Sequence, residues 1–390
     1  MKKVIAAAAG LMLVGAMVGT ASAAVSFGGD ARARYYYQQD YDFGAIVQDE
    51  ETGAISRVKE QDNKWQSRVR IQARAEAAGG AYAVARYRIG DGTWDGGRSG
   101  TATDYFDKAY IGVPMGPVTF EGGRMGFNLL PATKFLYEDV TEDGAKLLFP
   151  IGDAAEIAVL YTMNYEAVTN GDLINDNDIQ QFGGWAKMGF GGMSVRVAGL
   201  YRDDAVNNDI PGVPDVIDTS GFFGGIEFTG PAGPVALSGA IAMDDRGENR
   251  DNTGYGGFLQ GGMDFGGTGV ALNVGWTQDG YVADGDFGFI MIGGGYSITP
   301  IAVGSLGDTF WIGMPVTFAV SEMLSLKGIL AYADFDTGGD GFEISGSAVY
   351  VISDGANFQF DIGYLGYSAD NDLQPDESPF GMAGTFNISF

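Results

Sequence analysis

The sequence predicts a transmembrane antiparallel β-barrel with an even number of strands, eighteen favoured and sixteen next. Three observations carry this. The chain repeats segments of about ten residues in which apolar and polar side chains alternate. The connections between them are short and long by turns. The polar faces carry charge in mid-segment, while Tyr, Trp and Phe recur near segment ends.

The amino terminus comes first. Lys2 and Lys3 precede an apolar run from Val4 to Val18, followed by Ala21-Ser22-Ala23. A basic start, a short apolar stretch and small residues form the layout of a cleaved signal peptide over 1–23, with cleavage after Ala23. The run is shorter than the ~20 residues of a spanning helix. Residues 24–390 are expected to form a single exported barrel domain.

Ser67 to Ala77 shows the alternation most clearly. Arg68, Arg70, Gln72, Arg74 and Glu76 fall on one face, and Val69, Ile71, Ala73 and Ala75 on the other. In the first segment Val25, Phe27, Ala31, Ala33, Tyr35 and Tyr37 oppose Ser26, Asp30, Arg32, Arg34 and Gln38. At the carboxy terminus Met382, Phe386, Ile388 and Phe390 alternate with Ala383, Thr385, Asn387 and Ser389.

Short connections are built from turn residues, as at Ala78-Gly79-Gly80, Gly191-Gly192 and Ser353-Asp354-Gly355. Long ones, at 39–64, 91–102, 125–143, 165–178, 203–218, 245–253, 334–341 and 368–379, are polar and acidic. Such alternation puts turns at one end of a barrel and loops at the other. Closure satisfies every backbone donor and acceptor and leaves no edge. Nineteen segments can be counted, one too many for an even barrel; the ambiguity lies in 285–307, where Phe287 to Ile301 is apolar and Gly-rich without a clear turn. Trp65, Tyr87, Tyr105, Phe120, Tyr161, Trp185, Phe190 and Tyr201 are expected at interfacial girdles.

Composition excludes much. The 390 residues include no Cys and no His, which removes disulfides, thiolate metal sites and His-based hydrolase chemistry. A net charge of -27 argues against nucleic-acid binding. No cofactor and no metal site is expected. The loop acids, such as Asp203, Asp204 and Asp209, lack EF-hand spacing and read as solvated loops bridged loosely by divalent cations.

Several stretches resemble the general porins of Gram-negative outer membranes. Ser67-Arg68-Val69-Arg70-Ile71-Gln72 is similar to the family's Ser-Arg-x-Gly-Phe-Lys pattern. Asp107-Lys108-Ala109-Tyr110-Ile111-Gly112-Val113 followed by Phe120-Glu121-Gly122-Gly123-Arg124 resembles its Ala-Tyr-Val-Gly-Leu … Phe-x-x-Gly-Arg hairpin. Phe386, Ile388 and the terminal Phe390 are similar to the carboxy-terminal signal that the barrel assembly machinery reads. The resemblance implies a water-filled porin in the cell outer membrane, passing small hydrophilic solutes and ions by passive diffusion. It also implies a homotrimer in contact with outer-membrane lipid and lipopolysaccharide, and a third loop folded into the pore. That loop, after Arg124, lacks the family's Pro-Glu-Phe-Gly element; the nearest stretch is Leu130-Pro131-Ala132-Thr133.

Charge is distributed unevenly. Fifteen of the 21 basic residues beyond Ala23 precede residue 151. Arg32 and Arg34, then Arg68, Arg70 and Arg74, then Arg86 and Arg88 fall on the polar faces of three successive segments. With neighbouring strands ~4.8 Å apart they would form one basic wall. A mid-plane Arg on the lipid side costs ~2–4 kcal/mol, so the lumen is their expected place. The wall is expected to face an acidic loop segment, Glu138, Asp139, Glu142 and Asp143, across the pore, as in the family's eyelet. The alternative is that these arginines pair with Glu76 and Asp30 and keep the lumen wet. A rival to the porin is a barrel sleeve of a trans-outer-membrane electron conduit, housing a cytochrome partner. An enzyme is not expected.

Overall fold

Period-2 segments become strands because each buries one face and exposes the other. The computed structural model describes residues 24–41, 46–48, 55–57, 61–94, 103–136, 140–165, 179–204, 220–246, 253–296, 298–336, 338–369 and 378–390. The expected signal peptide, 1–23, lies outside the described residues. The strands begin with β1 (Ala24–Gln39), the small hairpin β2 (Ile46–Gln48) and β3 (Ile55–Arg57), β4 (Gln61–Glu76), β5 (Tyr82–Trp94) and β6 (Thr103–Met115). Then come β7 (Val118–Phe127), β8 (Val140–Ile151), β9 (Ala155–Tyr165), β10 (Ile179–Phe190), β11 (Met193–Asp204), β12 (Gly221–Ala232) and β13 (Val235–Asp244). The last are β14 (Gly254–Asp264), β15 (Thr268–Gln278), β16 (Thr309–Ala319), β17 (Leu324–Phe335), β18 (Gly339–Ser353), β19 (Ala356–Ser368) and β20 (Phe380–Ser389).

All except β2 and β3 join one closed antiparallel sheet of 18 strands, in which β20 pairs with β1. The even count of eighteen holds. The closing seam extends past β20. The Gly29 N–H donates to the Phe390 carbonyl (2.8 Å), and the Phe390 N–H donates to the Gly29 carbonyl (3.1 Å). Gly29 has to be glycine, because a Cβ there would strike the Arg70 carbonyl and the Phe390 ring.

The outer face is apolar. Phe27, Ile71, Val159, Ile241, Leu272, Ile344 and Ile388 all stand exposed on it. A band of contiguous hydrophobic side chains of this extent suits a hydrocarbon layer. Near the loop end Phe182 lies directly opposite both Tyr161 and Tyr201, and Tyr201 lies opposite Phe222, which gives a girdle in register across four strands. Phe190, Phe265 and Phe318 stand exposed near the turn end. Trp185 departs from the girdle expectation. It is mid-strand and buried on the inner face, where its indole N–H donates to Glu156 (3.0 Å).

Two stretches differ from the sequence reading. Residues 336–338 are the whole connection between β17 and β18, shorter than the 334–341 expected, because Phe335 is fully buried against Tyr367 and extends the strand. Residues 279–308, between β15 and β16, add no strand to the barrel; isolated bridges join Gly288 to Gly293 and Ile292 to Ile301. The nineteenth segment is therefore an insert. Its apolar residues lack alternation because both of its faces are covered inside the barrel.

Candidate functional site

The inner faces of β1, β4 and β5 lie side by side. Arg32 is directly opposite Arg68, and Asp30 is opposite Arg70. Arg70 is in turn opposite Arg88, and Gln72 opposite Arg86. Arg34 lies between Gln66 and Thr385, and Ser26 faces Arg74. All seven arginines thus share one wall.

Among the described residues, Asp30, Asp107 and Glu76 bind five of these arginines. Asp30 accepts from Arg70 Nε (2.7 Å) and from Arg68 (3.4 Å). Asp107 accepts from Arg86 Nε (2.8 Å) and Arg88 Nε (3.2 Å). Glu76 pairs with Arg74 (3.3 Å) at the more exposed turn end. Two rings back the wall: Arg74 lies over Tyr82 (3.9 Å) and Arg88 over Tyr105 (5.3 Å). Asp107 did not stand out in the sequence. It is the extra residue of a β-bulge, since Lys108 faces Arg86 while Phe106 faces Tyr87. Two consecutive charged residues, Asp107 and Lys108, break the period-2 pattern and were the available sign.

The acidic side differs from expectation. Glu138 and Asp139 lie outside the described residues. Glu142 and Asp143 belong to strand β8 and not to the loop, so they alternate. Glu142 is buried on the inner face, and Asp143 is exposed on the outer face, where Arg124 binds it through Nε (3.0 Å) and a second nitrogen (3.2 Å). The described part of the loop after β7 is apolar where it turns inward: Leu129, Leu130 and Phe135 are fully buried. Glu227 of β12 anchors it by accepting from the Ala132 N–H (3.0 Å), the Thr133 N–H (2.9 Å) and the Thr133 hydroxyl (3.0 Å). Arg196 donates to the Asn128 carbonyl (2.8 Å) and stacks over Trp185 (4.3 Å).

The insert 279–308 meets this loop. The Tyr281 hydroxyl donates to the Phe135 carbonyl (2.8 Å), and burial pushes that hydroxyl's pKa well up. Phe135, Phe258, Phe287 and Trp311 form one aromatic cluster, with Phe135 and Phe287 4.7 Å apart. Glycines on the inner wall make room for the insert. Gly256 lies under Tyr281, Gly313 under Phe289, Gly363 under Met291 and Gly381 under Ile298. The fully buried Glu343 carboxylate of β18 accepts from the Ile290 N–H (3.1 Å), the Ile292 N–H (2.8 Å) and the Ser345 hydroxyl. The lumen is therefore lopsided: an arginine wall on β1, β4 and β5, and an apolar insert seated on β14 to β20.

No family model matches the sequence, and no curated protein matches it. Solved structures do match its fold. The outer membrane protein opdK of Pseudomonas aeruginosa superposes with a TM-score of 0.59 at 9% identity, over 94% of this chain and 99% of that one. OccK7 (OpdD) of the same organism gives 0.57 at 14% identity, over 94% and 98%. A BenF-like porin from Pseudomonas fluorescens Pf-5 gives 0.56 at 10%, over 95% and 99%. The fold is that of the outer-membrane porins.

Within this porin fold, Phe386, Ile388 and Phe390 project from the outer face of the closing strand and its end, all more than half exposed. The Phe386 ring packs 4.8 Å from Phe358.

Proposed function

We propose that this chain is an outer-membrane porin, not an enzyme: a water-filled channel through which small hydrophilic solutes and ions pass by passive diffusion. One observation carries the reading. A barrel with an apolar exterior holds seven arginines on one inner wall, five of them bound by Asp30, Glu76 and Asp107. Charges in that number are costly in a dry interior and cheap beside water. The concentration of guanidiniums makes the wall the element that biases which ions and solutes pass.

Residues 1–23 direct export and are then cleaved, and insertion follows from the assembly machinery reading Phe386, Ile388 and Phe390. The barrel is a homotrimer set in outer-membrane lipid and lipopolysaccharide. The electron-conduit sleeve loses support from the insert, which takes up space that a cytochrome would need.

The test is single-channel current from detergent-purified protein in a planar bilayer under a salt gradient. Discrete ohmic steps, in threes for a trimer, are expected. A folded, heat-modifiable barrel without steps would overturn the channel reading.

A further inference from the structure

Below the insert, on the side of the turns, a second site lies away from the arginine wall. A half-open cavity of about 190 Å³ lies between the insert, the loop after β7 and the inner faces of β13 to β17. Its apolar sides are Phe258, Phe287 and Phe289. Its polar sides include Gln260 and Asn273, which are tied to each other (3.2 Å) with Asn273 also accepting from the Trp311 indole (2.8 Å). These two amides are held rigidly by the barrel wall. One acid, Asp286, and one base, Lys327, also line it.

The two charges do not neutralise each other. Asp286 is bridged at 3.4 Å by Lys134 from the loop, and Lys327 donates to the Tyr296 hydroxyl at 3.3 Å. Both contacts are long for charge-assisted hydrogen bonds. The cavity thus offers an acceptor and a donor of opposite charge, beside aromatic faces. A simple anion would meet Lys327 but sit against Asp286, whose bridge to Lys134 is long; a simple cation would meet Asp286 but sit against Lys327. A molecule carrying both charges meets both, and its apolar part fits against the rings. The volume is below the ~300 Å³ at which drug-sized ligand sites begin, which limits the occupant to a small solute.

We propose that this cavity is a subsite for a small zwitterion with an apolar body, its ammonium toward Asp286 and its carboxylate toward Lys327. The inference rests on the channel reading only in that the lumen must be reached from solution. L-Valine is the probe. Full-length protein folded in detergent is titrated with L-valine by calorimetry, and separate protein is recorded in bilayers without solute. Saturable binding of L-valine is expected, with L-valinamide (no carboxylate) and isovalerate (no ammonium) each weaker by about ten-fold or more. Lys327→Gln and Asp286→Asn should each weaken L-valine binding about ten-fold. Lys327→Arg and Asp286→Glu should retain most of it. Lys134→Met should also retain binding, which separates a role in binding from a role in holding the loop. Equal binding of all three compounds, equal loss in Lys134→Met and Asp286→Asn, or no saturable binding by a folded barrel would overturn the subsite and leave a cavity holding water only. Current steps without valine binding would count against the subsite alone. Valine binding without current would count against the channel alone.

Discussion

Arg32 and Arg68 stand directly opposite each other across the β1–β4 pair, two like charges on one inner face. Such pairs are destabilising by themselves. They are tolerable here because Asp30 binds both Arg68 and Arg70. The sequence offered two uses for these arginines, pairing with Asp30 and Glu76 or forming a charged wall. The structure joins them: Asp30 and Glu76 do pair with these arginines, and the pairs sit within one wall of seven.

The first prediction tests the wall as a selectivity element. Arg68→Gln, Arg70→Gln and Arg74→Gln together should move the reversal potential toward cations without abolishing the current steps. The shift should be larger at 0.1 M than at 1 M salt, since screening lengths fall from about 10 Å to 3 Å. A reversal potential equal to that of the parent protein at both concentrations would remove the wall from selectivity.

Asp107 is nearly inaccessible and holds Arg86 and Arg88 together. Asp107→Asn leaves two guanidiniums opposed without their carboxylate. Loss of about 3 kcal/mol of stability is expected, as for other broken buried pairs. Denaturant unfolding followed by the heat-modifiable gel shift reads it. Adding Arg86→Gln and Arg88→Gln should recover part of the loss, because the opposed charges go with them.

Much of this was legible in the sequence, for a physical reason. Where one face is the barrel's apolar exterior and the other its charged inner wall, as from Ser67 to Ala77, alternation is forced and the strand can be read directly. The Arg wall followed from the same phase. The pattern failed where that contrast fails. Phe287 to Ile301 is apolar on all sides because it lies between the barrel wall and the loop after β7, so it could be taken for a strand. Asp107 changed phase at a bulge. Trp185 looked like a girdle residue by type, yet its indole N–H has a partner inside, Glu156. The turn of Asp143 to the outer face depended on where β8 begins, a boundary the acidic composition of 125–143 concealed.

The insert depends on the glycines beneath it. A Cβ at Gly313 would overlap the Phe289 ring, and one at Gly363 would overlap the Met291 side chain. Gly313→Ala should cost about 1–3 kcal/mol as overpacking. Gly363→Ala should cost less, because a methionine side chain yields more readily than a ring. Comparison of the two midpoints in denaturant checks the order.

Glu343 fixes the insert from the other side, through the Ile290 and Ile292 N–H groups. Glu343→Ala strands both donors in a dry interior, at about 1–3 kcal/mol each. The barrel sheet does not depend on those bonds, so the cost falls on the seating of the insert. Single-channel recordings of Glu343→Ala should show noisier steps and a larger mean conductance. Steps identical to the parent's would mean that Tyr281 and the aromatic cluster hold the insert without this carboxylate.

The closing seam separates two roles of Phe390. Its backbone N–H and carbonyl both bond to Gly29, and its ring stands outside the barrel. Phe390→Ser keeps the backbone bonds and removes the ring; deletion of residue 390 removes both. If the ring is read during assembly, Phe390→Ser should refold in detergent like the parent and yet reach the outer membrane in reduced amount. Deletion should reduce outer-membrane yield as well and should also lower stability in detergent by about 1–2 kcal/mol, since two net hydrogen bonds are lost. Normal outer-membrane yield for Phe390→Ser would show that the terminal ring acts only where it lies, over Gly29 on the barrel exterior.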